Sequence, residues 1–524
     1  MFIPFFRLLP PCFAIVVLAL WLVGCASVGP DFVRPEPAAT GQWLESAENG
    51  LEPVPANVAR WWRVFNDPVL NQLVATARAN NNTLEIAGLR VIESRAQLGL
   101  AVGALYPQSQ RINGSASHIS PAESSGATSN YWQYGLNASV GWEIDFWGRF
   151  RRGIESADAA FMASIAAYDH ALVLVTAQVV DTYTVIRATE EQLRISRENI
   201  GIQECSFAIT EVLYRNGQDS GLDMQQAQSL LLSTQSTIPT LEASLKKARN
   251  ALAILLGQAP GKLTVLLARE KDPESIPTIP LAIAVGVPAD MLRRRPDVRQ
   301  AELQAMAQNA LVGMAEADLY PSFSLIGTIG LSAGGPVDDD FDTLFDSDAL
   351  TYSIGPSFSW PFLSYGRIKN NIRVQDARLQ QTLINYRETV LQAAREAEDA
   401  MAGFNGSTRQ AALLKKTVAS SKRSNELATL RFREGFSDYQ RVLDAQQALF
   451  SQQQRYVTSQ SDKVRSLVAL YKALGGGWQA RDSLPMIDAQ TRETMEQRTR
   501  WGELLDTGFE KVEREQKSVP KPDW

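Results

Sequence analysis

The chain repeats itself, and no other feature constrains its fold as much. Leu105-Tyr106-Pro107 returns as Leu319-Tyr320-Pro321, 214 positions on. Past the next strands the offset becomes 218 and holds. Trp142 then matches Trp360, Gly148-Arg149 matches Gly366-Arg367, and Tyr168 matches Tyr386. Further on, Gly217 matches Gly435, Ala227-Gln228 matches Ala445-Gln446, and Leu256-Gly257 matches Leu474-Gly475. A constant offset over this span means two copies of one unit with no insertion inside it. A single catalytic pocket rarely needs such duplication. The wall of a ring or tube is built from it.

Each copy predicts two very long helices. Proline is absent from Arg149 to Ile238 and from Phe362 to Leu484, and glycine punctuates both stretches in the same place, at Gly217 and Gly435. The 68 residues between Gly366 and Gly435 would span about 100 Å as one helix at a rise of about 1.5 Å per residue. Their apolar stripe is Leu379, Leu383, Tyr386, Val390, Ala394, Ala397, Met401 and Phe404. Copy one shows Phe161, Ile165, Tyr168, Leu172, Val175 and Val179. Alternating steps of three and four are coiled-coil spacing, and such a narrow stripe needs partner helices along its whole length. The opposite face is polar, as in Arg373, Gln375, Asp376, Arg378 and Glu388. Glycine at 217 and 435 supplies a left-handed C′ residue, and the Asp and Ser residues that follow can cap a returning helix. Each copy therefore reads as a helical hairpin with a tip.

Two strand candidates precede each hairpin. Tyr134, Leu136, Ala138, Val140, Trp142 and Ile144 alternate with polar or small residues, a run long enough for a tilted transmembrane β-strand. Tyr352, Ile354, Pro356, Phe358 and Trp360 do the same in copy two. Residues 108–118 and 322–332 are their partners. Two hairpins make four strands, four strands cannot close a barrel, and open edges are not tolerated in lipid. In a membrane the chain must oligomerise, and three copies would supply 3 × 4 = 12 strands. The Ser-, Gly- and Ala-rich segment 118–130 and the Asp-rich segment 334–348 read as solvated loops.

The N-terminus reads as a targeting segment. Arg7 precedes an apolar run from Phe13 to Val23, too short for a comfortable membrane span. It ends in Leu22-Val23-Gly24-Cys25, which resembles a bacterial lipoprotein signal in which Cys25 becomes the acylated first residue. Ala26 after it points by resemblance to the outer membrane. Cys12 leaves with the signal and Cys25 carries lipid, so Cys205 is alone and no intramolecular disulfide forms. The expected organisation is signal 1–24, a Pro-rich tether 25–60, a first repeat 61–260, a linker 261–286, a second repeat 287–478, and a partly disordered tail 479–524.

Little speaks for an enzyme. The only histidines are His118 and His170, no Cys/His group has metal spacing, and no glycine-rich phosphate loop follows a strand. No cofactor is expected. Glu143 and Asp145 are two apart, and a solvated strand rim explains them better than acid–base chemistry. A net charge of −6 argues against nucleic acid. Arg293-Arg294-Arg295 reads as solvated, paired structural arginines rather than a binding patch.

Three further motifs complete the pattern: Trp61-Trp62-Arg63-Val64-Phe65-Asn66-Asp67-Pro68-Val69-Leu70, Val287-Pro288 through Arg299, and Val442-Leu443-Asp444-Ala445-Gln446. With them the mature chain, from Cys25 to Trp478, resembles the TolC-like outer membrane factors, specifically the lipoprotein branch of the resistance-nodulation-division efflux channels (the NodT/OprM type). The resemblance implies an α+β membrane protein. Its homotrimer would be a 12-stranded transmembrane β-barrel continuous with a long periplasmic α-helical barrel and a mixed equatorial region. It implies a passive exit duct for small molecules that docks through its tip turns, Gly217 and Gly435, on a periplasmic adaptor and an inner-membrane pump. It also implies a periplasmic gate. The constricting aspartate maps onto Asp444, and a second acidic position maps onto Arg441. The first-copy aspartate maps onto Asp223, its tyrosine partner onto Phe432, which lacks the hydroxyl, and the usual arginine onto Ser437. Arg433 and Arg441 stand as candidate partners for Asp223. Export of proteins or signal molecules shares this architecture, and a lipid-anchored coiled-coil spacer without a pore is the alternative of another class. The paired alternating strands argue against the spacer.

Overall fold

The computed structural model describes residues 27–35, 58–120, 130–261, 293–335, 340–481 and 485–505, with short stretches at 43–44, 51–52, 267, 276–279 and 283–284. Cys12, Cys25 and residues 287–292 lie outside the described residues. In chain order the elements are β1 (Leu51–Glu52), α1 (Pro68–Asn80), α2 (Asn82–Gly103), β2 (Ser109–Ile119), β3 (Tyr131–Ile144), α3 (Arg149–Arg215), α4 (Gly221–Leu255), β4 (Ile283–Ala284), α5 (Pro296–Ala317), β5 (Ser322–Ala333), β6 (Leu350–Ser359), α6 (Arg367–Arg433), α7 (Tyr439–Ala473) and α8 (Ala489–Arg498).

The long helices α3 and α6 have 67 residues each and begin 218 positions apart (367 − 149). Each is about 100 Å long. Their returning partners α4 and α7 have 35 residues each. Pro239 sits inside α4 without ending it. A proline removes one donor and crowds the preceding turn, a local cost that packing against α3 offsets. The expected stripe of α3 is buried throughout, and so are its flanking positions Val173, Val180 and Thr184. This helix packs on α1, α2, α4, α5 and α7, so it is the core of the protomer rather than a two-sided coil. Although α3 is long and apolar enough by composition to cross a membrane, most of the apolar stretch is buried inside the protein.

The Trp-Trp motif forms a short 3-10 turn, Trp61–Phe65, that ties the start of the chain to its end. Trp61 stacks on Tyr471 with centroids 5.1 Å apart. The Arg78 guanidinium lies over Trp62 and donates to the carbonyls of Gly477 and Ala480, each at 3.1 Å. Asp67 caps α1 by accepting from the amides of Val69 and Leu70, and Pro68 takes the first helical position. The same carboxylate accepts from the Tyr183 hydroxyl at 2.6 Å.

The tail is folded well beyond Trp478. Met486, Ile487, α8 and the 3-10 turn Gly502–Leu505 pack on α2, where Ile487, Met495 and Leu505 meet Ile92. The Met486 carbonyl lies so close to Gly88 that a Cβ there would sit 1.9 Å from it. The described part of the tail, up to Leu505, is thus folded against the body of the chain. Its few apolar residues are too sparse to form a stripe of their own, but they complete a patch that α2 already presents.

Candidate conduit and gate

The four long strands form one antiparallel sheet in the order β2-β3-β5-β6, with β2 and β6 at its edges. The register sorts the side chains into two faces. On one, Leu136 opposes Leu331, Trp142 opposes Leu325, Ile144 opposes Phe323, and Ile329 opposes Tyr352. Most of these apolar side chains stand exposed. On the other face, Arg111 opposes Ser139, Asn113 opposes Asn137, Ser324 opposes Ser357, and Thr328 opposes Ser353. Apart from Ile119 and Ile326, this face is built from Ser, Gly, Thr, Asn and Gln, with Tyr131 at one end and Arg111 and Glu143 as its charges.

Where sheet meets helices, the repeated Leu-Tyr-Pro motif has a structural job. The Trp142 indole donates to the Leu105 carbonyl at 3.1 Å, and the Trp360 indole donates to the Leu319 carbonyl at 3.0 Å. Each pins the end of a strand to the helix entering the sheet. Asp145 is not a solvated rim residue. Its carboxylate accepts from the Phe150 and Arg151 amides and from the Arg151 guanidinium, so it caps a helix that starts at Gly148, which has no side chain. Glu143 accepts from Arg149 at 3.4 Å. Arg295 departs from the solvated reading too. It is buried, pairs with Asp297 and Glu396, and donates to the Ala473 carbonyl.

At the far end of the long helices, both tips close in the same way. Gln218 N donates to Leu213 O and Gly217 N to Tyr214 O, while Phe436 N donates to Arg431 O and Gly435 N to Phe432 O. This double bond around a left-handed residue is the Schellman closure, and φ of +68° and +77° at Gly217 and Gly435 is why glycine stands there. The tips differ in their caps. Ser220 accepts from the Asp223 amide at 3.2 Å and its hydroxyl reaches the Asp223 carboxylate at 3.0 Å. Asp438 makes no side-chain cap.

The residues that the family resemblance assigns to a gate come together only in part. Asp444 is exposed and accepts from Gln440 at 2.9 Å; within one chain it forms no ion pair with Arg441. The amide one turn back already occupies the carboxylate. Arg433 and Arg441 are exposed and form no ion pair with Asp223 in the chain. Phe432 instead meets Tyr439 edge to face, rings 5.4 Å apart at 65°. Both join a small cluster with Ala227, Leu230, Val442 and Leu443 beneath the tips. Burial pushes the Tyr439 phenol up to about 12, and the nearby charge of Asp223 adds to this. Burial also raises Asp223, with Asp219 contributing. Tyr439 is therefore an aromatic hydroxyl that feels the charge of the first-copy aspartate, a residue the sequence reading missed. Its only signal was an aromatic directly after the cap position.

Comparison with known proteins agrees with this architecture. The model of the "Outer membrane efflux protein" family matches residues 73–258 and 287–476. The cation efflux system protein CusC of Escherichia coli O6:H1 is 32% identical over 475 residues, covering 90% of this chain and 99% of CusC. The pyoverdine export outer membrane protein OpmQ of Pseudomonas putida is 31% identical over 484 residues, covering 90% of this chain and 98% of OpmQ. The solved outer-membrane channel OprN superposes with a TM-score of 0.80 at 32% identity, covering 86% of this chain and 99% of OprN. With a two-part family match over most of its length, relatives above 30% identity aligned almost end to end, and a channel fold to match, the chain belongs to the outer membrane efflux protein family.

Proposed function

We propose that the chain is one third of a homotrimeric duct in the outer membrane that passively conducts small molecules outward. One observation carries this reading. The sheet carries an exposed apolar face and, opposite it, a Ser- and Gly-rich face, and among the described residues the outer edges of β2 and β6 are unpaired. Such edges in lipid demand closure, and three sheets would close a 12-stranded barrel around the polar face. The six long hairpins of three chains would then form the periplasmic tube, from two repeats per chain. The domain limits 61–260 and 287–478 follow from the repeat.

The energy for transport comes from elsewhere. The tip turns at Gly217 and Gly435 would meet a periplasmic adaptor that links the duct to an inner-membrane pump of the resistance-nodulation-division type. A lumen of small neutral side chains does not select cargo, which agrees with near-equal similarity to a relative named for cations and one named for pyoverdine. Cargo would be chosen upstream.

Cys25 would carry the lipid. Val28 N donates to the Trp147 carbonyl at 3.1 Å, beside the end of β3. Three residues span at most about 11 Å, so an acyl group on Cys25 would reach the membrane at the base of the sheet. Palmitate labelling should vanish in Cys25→Ser, while assembly persists.

The decisive experiment is mass in mild detergent together with single-channel conductance. A trimer that conducts is expected, and a monodisperse monomer with full β content would refute the closure. For the gate, Asp444→Ala should raise conductance and weaken block by divalent cations added from the periplasmic side, because a ring of three carboxylates concentrates cations. Asp376→Ala, near the sheet end of α6 and far from the tip, should change neither. Equal block in wild type and Asp444→Ala would remove Asp444 from the gate.

A further inference from the structure

The described residues 340–349 between β5 and β6 do not stand away from the sheet. Ser332 N donates to the Ala349 carbonyl at 2.9 Å, which pins the two ends of the loop together. Its 3-10 turn, Phe341–Phe345, packs back onto β5 and β3. Leu344 is buried in that contact, whereas Phe341 and Phe345 remain 49% and 65% exposed.

Those two rings continue a ladder on the sheet. Phe345 lies 5.8 Å from Phe341, and Phe341 stands edge-on to Tyr134 at 5.1 Å. Tyr134 stacks with Trp132 at 6.0 Å, and Trp132 lies 5.1 Å from His118. Trp132 and Tyr134 alternate in phase with Leu136 and Val140, and His118 opposes Trp132 in the register. The ladder therefore runs along the apolar face, at the end of the sheet away from the long helices. Its rings sit on β2, on β3 and on the turn, and the turn itself lies over β3 and β5, the two central strands. A neighbouring protomer joined at β2 or β6 would not cover it.

We infer that the Phe341–Phe345 turn is a lipid-docking element, with Phe341 and Phe345 seated at the headgroup–acyl boundary of the outer leaflet. The inference rests on the barrel reading and adds an element the strands alone do not supply. Lipid is the occupant because the ladder is continuous with the face that barrel closure turns toward lipid. Aromatic rings favour that boundary depth. Asp340, Asp342, Asp346 and Asp348 bracket the two rings. Carboxylates are costly in hydrocarbon, so they hold the turn at the boundary and stop it from sinking deeper.

The test is a fluorescent reporter in the full-length trimer, reconstituted into phosphatidylcholine–phosphatidylglycerol vesicles. Cys205→Ser removes the exposed native thiol. Bimane is then attached at Phe345→Cys, Asp348→Cys or Ile329→Cys, one at a time. Lipids with a nitroxide near the headgroup should quench Phe345→Cys at least ~2-fold more than Asp348→Cys, and aqueous iodide should show the reverse order. Ile329→Cys, in the middle of the apolar face, should respond to a deep acyl-chain nitroxide. If Ile329→Cys fails, the barrel reading fails. If Ile329→Cys responds and Phe345→Cys is as open to iodide as Asp348→Cys, the docking turn is refuted. Shielding of Phe345→Cys from both quenchers would mean protein cover, and would refute it too. A reporter at Thr343→Cys leaves both rings in place. Its shallow quenching should fall when Phe341 and Phe345 are both changed to Ser, and unchanged quenching would overturn the inference even if Phe345→Cys disturbs the turn.

Discussion

Asp169 in α3 and Arg481, beyond the end of α7, form an ion pair in which both side chains are at least nine-tenths buried. It joins residues 312 positions apart and fastens the start of the tail to the central helix. Removing one partner leaves an uncompensated buried charge, which typically costs about 3–5 kcal/mol. Arg481→Met should therefore lower the unfolding midpoint of the detergent-solubilised protein sharply. Asp169→Leu with Arg481→Met should recover most of the loss. A double variant as unstable as the single one would show that the site matters by shape and not by charge.

Acid should weaken the junction of α3, α5 and α6 through His170. Burial holds this imidazole below its ordinary range, Arg295 and Lys472 add to the lowering, and Asp297 and Glu396 oppose it. The neutral form is thus favoured by the fold. Its contribution is fully present above about pH 6.5 and is lost as pH falls toward the folded value. His170→Gln should flatten the stability curve on the acid side of that pH and leave it unchanged above. Thermal midpoints from pH 7.5 to 5 measure it, and parallel curves for the two proteins would count against this role.

Gln203 should be a stability liability. Along α3, Gln192, Ser196, Asn199, Gln203, Ser206 and Thr210 form a polar stripe at coiled-coil spacing. Gln446 of α7 donates to Ser206 at 2.7 Å, Asn199 donates to Gln453 at 2.8 Å, and Gln454 donates to Ser196 at 3.2 Å. Gln203, between these levels, is buried with neither its amide nitrogen nor its oxygen bonded among the described residues. An unmet buried polar group costs about 1–3 kcal/mol. Gln203→Leu should raise the unfolding midpoint, while Gln446→Leu should not, because it strands Ser206.

The first tip should loosen without its cap. Ser220→Ala removes the acceptor for the Asp223 amide, a loss worth about 0.5–2 kcal/mol. Hydrogen exchange of the amides at 221–224 should speed up, with little change in mid-helix. The equivalent change at Asp438, which makes no side-chain cap, should have a smaller effect. Equal effects at both tips would deny the difference between them.

Much of this protein is local in origin and so could be read along the chain. Three-and-four spacing without proline dictates the 67-residue helices, period-2 alternation dictates the strands, and glycine at 217 and 435 dictates the tips, because each depends on neighbours within a turn or two. The equal offset of 218 carried the duplication. Contacts between distant positions were beyond its reach. The stripe of α3 does not say that five helices would cover it, nor does Arg295 beside two other arginines say which of them would be buried between Asp297 and Glu396. Asp145 reads as a rim carboxylate until Gly148 leaves a helix start for it to cap. Tyr439 reads as a first-turn residue until folding sets it beside Phe432 and Asp223. Hydrophobic spacing tells a helix which face to bury, but burial partners, and with them the charges and hydroxyls set around the tips, are decided only when packing brings distant surfaces together.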